Sequence, residues 1–163
     1  MNNLNLVEDK IYTIERLVPL LNVWRFLGQK IVFTNGCFDL LHLGHIDYLT
    51  KAADLGNKLV IGLNSDKSTI NLKGPTRPII DESSRSRLLG ALFFVDAVVL
   101  FDDATPYNLI NTVNPDVLVK GADYTIDKIV GADFVLSKGG EVKTVTYLEG
   151  YSTTAIERKI KNG

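Results

Sequence analysis

Short apolar runs rich in β-branched residues recur along the chain: IVFTNG (31–36), KLVIGLN (58–64), DAVVLF (96–101), DVLVK (116–120) and EVKTVTY (141–147). Most are continuously apolar, the pattern of strands covered on both faces. The last alternates more and suits an edge. Helical spacing fills the intervals. His42 to Leu55 places Ile46, Leu49 and Ala53 on one face; Ser83 to Val95 starts with serines able to cap. Thr105 to Val113 opens with a Thr cap and a proline in its first turn, and Ser152 to Ile160 closes the chain. Strands alternating with helices predict an α/β fold: one doubly wound, five-stranded parallel sheet with helices on both faces.

Residues 8–27 read as an extra N-terminal helix outside that sheet, with Pro19 as a break or kink. The chain therefore divides into an N-terminal helical extension, 1–27, and one domain, 28–163. Two roles stand open for the extension, dimerisation or simply covering the sheet, and a homo-oligomer (a dimer) is expected. Residues 65–82, SDKSTINLKGPTRPIIDE, form the longest irregular stretch. In an open α/β sheet the ligand crevice lies beyond the carboxyl ends of the strands. The informative loops are those after Thr34, Asn64, Phe101, Lys120 and Tyr147.

Composition narrows the function without naming it. The 163 residues are 45% hydrophobic, enough for a sizeable core, and 18 basic against 19 acidic residues leave a formal net charge of −1. That offers no global attraction for nucleic acid or an anionic membrane, so any anion site must be local. A single cysteine cannot form an internal disulfide and fits a reducing compartment. MNNLNLVEDK lacks a secretion pattern, and no apolar stretch approaches the ~18 residues of a membrane helix. A cytoplasmic protein is expected.

Both histidines of the chain fall in one stretch, TNGCFDLLHLGH (34–45). Strand IVFTNG ends there, the chain turns at Asn35–Gly36, and a helix begins near His42. A helix start offers unpaired N–H groups and partial positive charge, which suit phosphate. His42 and His45, at i and i+3, share a face, and Gly44 lets a ligand approach the backbone. The residues alone also admit zinc, a structural role or a dinucleotide in place of a phosphate group. A zinc site would need further ligands beyond Cys37, a pair of helix-capping histidines needs no ligand, and a dinucleotide turn would need the missing G-x-G-x-x-G.

The stretch NGCFDLLHLGH resembles the H-x-G-H signature of the nucleotidyltransferase superfamily. Residues 31–160 further resemble the heptose 1-phosphate adenylyltransferase family of ADP-heptose synthesis, found as a separate protein or as the C-terminal domain of a bifunctional kinase–adenylyltransferase. FTNGCFDLLHLGH, VIGLNSDKST, LKGPTRPI, SSRSRLLGAL, DVLVKGADY, GGEV and YSTTAI carry the likeness, in family order. A Rossmann-like nucleotidyltransferase fold is implied.

The implied reaction is attack by a sugar 1-phosphate oxygen on the α-phosphorus of ATP, with magnesium accompanying the nucleotide. No nucleic acid and no membrane take part. By the resemblance, His42 and His45 contact the phosphates and the transition state. Thr34, Asn35, Gly36, Cys37 and Phe38 form a floor of backbone N–H groups, and Asp39 orients a histidine or a metal, or merely caps. Lys73 and Arg77 sit on a basic flap, and Arg85 reaches the β- and γ-phosphates, whereas Arg87 points elsewhere and is structural. Lys120, Gly121 and Asp123 lie near base and ribose; Ser152, Thr153 and Thr154 make a second anion cradle. The catalytic candidates are thus His42, His45, Lys73 and Arg85; the metal ligands are unknown. Gly150–Tyr151 departs from the family, which usually has Gly-Cys or Gly-Ile there, so Tyr151 is a candidate for the sugar or base pocket.

The chain is too short to hold a kinase domain as well, so a separate kinase is expected to supply the sugar phosphate. Two alternatives remain: a cytidylyltransferase acting on glycerol 3-phosphate or a similar alcohol phosphate, and a nucleotide-binding regulatory module without catalysis.

Overall fold

The computed structural model describes residues 2–162. Its elements run α1 (Asn3–Glu8), β1 (Ile11–Tyr12), α2 (Ile14–Phe26), β2 (Ile31–Gly36), α3 (Leu43–Ala53), β3 (Lys58–Asn64), α4 (Asp66–Lys73) and α5 (Glu82–Gly90). Then follow β4 (Ala97–Phe101), α6 (Tyr107–Val113), β5 (Val117–Gly121), a 3-10 turn (Ile126–Lys128), α7 (Ala132–Ser137), β6 (Glu141–Val145) and α8 (Thr153–Asn162).

Among the described residues the sheet has six strands, not five, in the order β1-β4-β3-β2-β5-β6, and every pairing is parallel. The five expected strands are all present, and β6 lies at an edge as its alternation suggested. The sixth strand is β1, inside the segment read as one helix. Ile11 and Tyr12 are β-branched and aromatic, and they pair with Val98 and Val99 at the other edge. Thr13 then accepts from the Arg16 N–H and starts α2, which runs through Pro19 unbroken. The N-terminal residues thus form two helices and a strand in place of one helix, and the strand pairs at the edge of the sheet.

Successive side chains of each strand feed opposite cores. Ile31, Phe33, Val60, Val99 and Leu118 pack with Leu17, Leu21 and Trp24 of α2 and with α6 and α7. Val32, Leu59, Ile61, Leu63, Val98 and Val119 pack with Tyr48, Leu49 and Ala52 of α3 and Leu89 of α5. Helices cover both faces, which is why the central strands carry no polar alternation.

From β2 the order runs one way through β3 and β4 and the other way through β5 and β6. The β2/β5 junction is therefore the topological switch point, where a ligand crevice opens beyond the strand ends. The loop 37–42 and the segment after Gly121 flank it. The stretch expected to be irregular, 65–82, contains α4, whose start Ser65 caps by accepting from the Ser68 N–H at 3.0 Å. Lys73 is consequently the last residue of a helix, followed by Gly74 at φ +97°.

Candidate active site

The HLGH stretch opens α3. His42 occupies the N-cap position but makes no capping bond through its side chain. It stacks on His45 instead, with ring centroids 3.8 Å apart and planes 22° apart. Phe38, at φ +44°, turns its ring edge-on to His45 at 5.3 Å. The Nδ1 atoms of both histidines are buried without a hydrogen-bond partner. Burial, then the neighbouring His42 and Lys73, holds the His45 imidazole down to about 4, against the Leu40 backbone. Burial also lowers His42. Both shifts favour the neutral imidazole, in which each ring carries one N–H to donate.

Gly44 lies between them because nothing larger fits easily. A Cβ there would sit 3.1 Å from the His42 ring and 3.1 Å from Tyr151 Cβ. Tyr151 therefore packs beside the HLGH turn.

A cleft of 370 Å³ opens at the switch point, lined by Asn35, Gly36, Cys37, Phe38, His45, Lys73, Lys120 and Gly121. These eight were all expected from sequence. Tyr48, Asn64, Leu72, Tyr124 and Tyr147 line it too and were not. Tyr48 lies one helical turn beyond His45, on the same face of α3. Its hydroxyl bonds Thr34 Oγ1 at 2.7 Å and donates to the Val119 carbonyl at 3.2 Å, and burial pushes it well above the usual tyrosine range. Tyr147 crosses directly over Gly121, where a Cβ would fall 2.0 Å from its hydroxyl oxygen. Any larger residue at 121 would have to push the Tyr147 ring aside.

Lys120 is the cation set deepest in the cleft wall. Its Nζ donates to Asn35 Oδ1 at 2.5 Å and approaches the Asn35 carbonyl at 3.4 Å. Among the described residues no other side chain bonds it; Tyr124 presents its ring 5.9 Å away. Burial lowers its ammonium to about 8, and Asp123 and Cys37 act in the opposite sense. It is thus mostly charged at pH 7, with an amide and no carboxylate on it.

Several expected residues stand elsewhere. Thr34 is fully buried, bonded to Tyr48, and lies beneath the cleft rather than in its floor. Arg85 is fully buried and every donor group is engaged: Nε to the Ile80 carbonyl, Nη1 to the Cys37 and Asn64 carbonyls, Nη2 to Asp66 at 2.7 Å. This arginine ties the ends of β2 and β3 to the start of α4 and is not among the residues that line the cleft. Arg77 bridges two carboxylates, Asp39 at 2.8 Å and Glu157 of α8. Asp39 faces neither histidine. Burial favours its neutral form, but the Ile80 and Ile79 N–H groups and Arg77 outweigh that and hold it below the usual carboxylate range. Arg87 pairs with Glu8 of α1 on the surface, as a structural residue would.

Asp123 and Ser152, Thr153 and Thr154 are off the lining. Ser152 accepts from the Ala155 N–H at 3.1 Å and starts α8. The Asp39–Arg77–Glu157 chain and the Tyr151–Gly44 contact hold this helix against the HLGH turn. Among the described residues no group of three or more His, Cys, Asp or Glu is placed to share a metal ion.

What the cleft can do follows from these groups. It offers a helix start, the neutral imidazole of His45 with His42 stacked behind it, and two lysines around a floor of backbone, all suited to polyphosphate. Comparison with known proteins agrees. The cytidylyltransferase-like family profile matches residues 33–159, and the chain belongs to that family of nucleotidyltransferases.

Relatives within it are more specific. The chain is 51% identical over 152 residues to the bifunctional protein HldE of Methylobacillus flagellatus, covering 93% of this chain and 31% of that one. It is 53% identical over 153 residues to the bifunctional protein HldE of Geobacter metallireducens, covering 94% and 31%. The chain thus spans about a third of the length of the curated relatives it matches. Among solved structures, the lipopolysaccharide core biosynthesis protein from Thermoplasma volcanium GSS1 superposes with a TM-score of 0.60 at 34% identity, over 77% of this chain and all of that one.

Proposed function

We propose that this chain transfers AMP from Mg–ATP to D-glycero-D-manno-heptose 1-phosphate, giving ADP-heptose and pyrophosphate for a lipopolysaccharide or other surface-glycan precursor. The observation that carries the reading is the meeting of His45, Lys73 and Lys120 on one cleft at the switch point, in a chain about half identical to HldE proteins over nine-tenths of its length.

An oxygen of the sugar phosphate forms the new bond to the α-phosphorus. The bond from that phosphorus to the bridging oxygen breaks, and pyrophosphate leaves with the electron pair. The nucleophile is already an anion at pH 7, so no strong base is required. The work is to align two polyanions and to stabilise charge developing on the transferring phosphorus. His45, neutral and packed against His42 and Phe38, donates a hydrogen bond to that phosphoryl group. Lys120 lies on the α-phosphate, and Lys73, at the end of α4, on the leaving pyrophosphate. Tyr124 and Tyr147 supply aromatic surface for the base. Arg77 and Arg85 position the loops and touch no substrate. No carboxylate cage is needed for magnesium, which arrives on the triphosphate as part of the substrate.

The test is pyrophosphate release from heptose 1-phosphate with ATP against CTP, each with magnesium. Release with ATP alone is expected. Release only with CTP and glycerol 3-phosphate would instead make this a cytidylyltransferase, and no release with either pair would overturn both.

A further inference from the structure

Beyond the cleft lies a second, smaller hollow of 220 Å³. The two share a wall made of Asn35, Asn64, Leu72, Lys120 and Tyr124. The far side of the hollow is formed by Thr105 and Pro106, after β4, and by Lys128 to Val130, in and after the 3-10 turn. No histidine lines it, and Tyr124 on the common wall is its one aromatic residue.

The two chambers have different chemistry. The larger one holds His45, Lys73 and three tyrosines, groups for a triphosphate and a flat base. The smaller one offers amides, a hydroxyl and an added ammonium around an apolar floor, which suits a polyhydroxylated molecule carrying one phosphate. Lys120 stands on the partition, held among the described residues by Asn35 alone, within reach of anions on either side. A direct displacement needs its two anionic reactants side by side, and Lys120 is the cation that borders both chambers.

We propose that the smaller hollow is the seat of the phosphorylated sugar, with Lys120 gripping its phosphate from the partition and Lys128 and Thr105 holding the far side and selecting the acceptor. This rests on the adenylyltransferase reading above. Lys128 and Thr105 are both exposed, so replacing them leaves the core intact.

Steady-state kinetics on the full chain, varying sugar 1-phosphate and Mg–ATP separately, test it. Lys128→Glu is expected to raise KM for the sugar phosphate about tenfold or more, while KM for ATP stays within about twofold. Thr105→Tyr, which fills the hollow, is expected to do the same without weakening ATP. An active enzyme whose acceptor KM is unmoved in both variants, or whose ATP KM rises instead, would overturn the assignment and leave the reaction standing. A wild-type chain that releases no pyrophosphate from ATP with the sugar phosphate would overturn the reaction itself, and this seat with it.

Discussion

Arg85 and Lys120 are both cations drawn in from solvent beside the carboxyl end of β2, and they are held in opposite ways. Arg85, on the β3 and α5 side, spends its donors on three backbone carbonyls and Asp66. Lys120, on the β5 side, has one amide partner, and burial has lowered its ammonium to about 8. A cation already surrounded by acceptors gains little from an arriving anion; a cation lacking one gains much. Residue type and proximity to the cleft do not separate a framework arginine from a ligand-binding lysine. The count of satisfied donors does.

The two cations should differ most visibly in stability. Arg85→Ala empties a fully buried site and leaves three carbonyls without their donor, and it should cost about 3–5 kcal/mol. Lys120→Met, of similar length and apolar, should leave thermal unfolding unchanged or improve it. Equal losses in the two variants would mean that both cations belong to the framework.

Next in size is turnover at the histidine pair. His45→Ala should lower kcat by about 100- to 1000-fold, the usual consequence of removing one transition-state donor. It should also change acid stability in a defined direction. An unfolded imidazole takes its proton near 6.5, whereas the folded His45 resists until about 4. Below 6.5 the unfolded chain binds more protons, so the wild type loses stability as pH falls from 6.5 to 4. That slope should flatten in His45→Ala, as followed by chemical denaturation across this window. Normal turnover per folded molecule would mean the pair is structural.

Lys120→Met should lower kcat/KM about tenfold or more. The pH dependence sharpens the contrast with Arg85, because activity and stability move oppositely. Activity needs the ammonium and should fall as pH rises through about 8. Stability should rise over the same range and on toward 10, because the unfolded lysine still holds its proton when the folded one has released it. Subtracting the Lys120→Met curve from the wild-type curve isolates that contribution.

The smallest effect is expected at the strut between α8 and the loop before HLGH. Glu157→Gln removes one half of the Arg77 bridge and should cost about 1 kcal/mol or less. If the strut positions α8 for the nucleotide, KM for ATP rises while kcat holds. A fall in kcat with KM unchanged would count against a positioning part.

The sequence determined the alternation of strands and helices, the coverage of the sheet on both faces, and the turn that carries HLGH. These follow from local periodicity and from residues close together in the chain, and so they could be read without coordinates. Resemblance to a known family named the eight cleft residues from Asn35 to Gly121, and those at the ends of β2 and β5 lie where strands of a parallel sheet meet the crevice. Tertiary structure decided the rest. Ile11 and Tyr12 became a strand only because β4 left an edge for two residues to pair with. Tyr48 and Tyr147 joined the cleft because α3 and β6 converge over Gly121 from positions about a hundred residues apart. Arg77 and Arg85 left it because carboxylates and carbonyls distant in sequence reached them first. A side chain's partners depend on which distant groups the fold brings within hydrogen-bonding range, and no local pattern encodes that. The same basic residues therefore read alike in the sequence and divide, in the folded chain, into those that hold the site and those free to meet a phosphate.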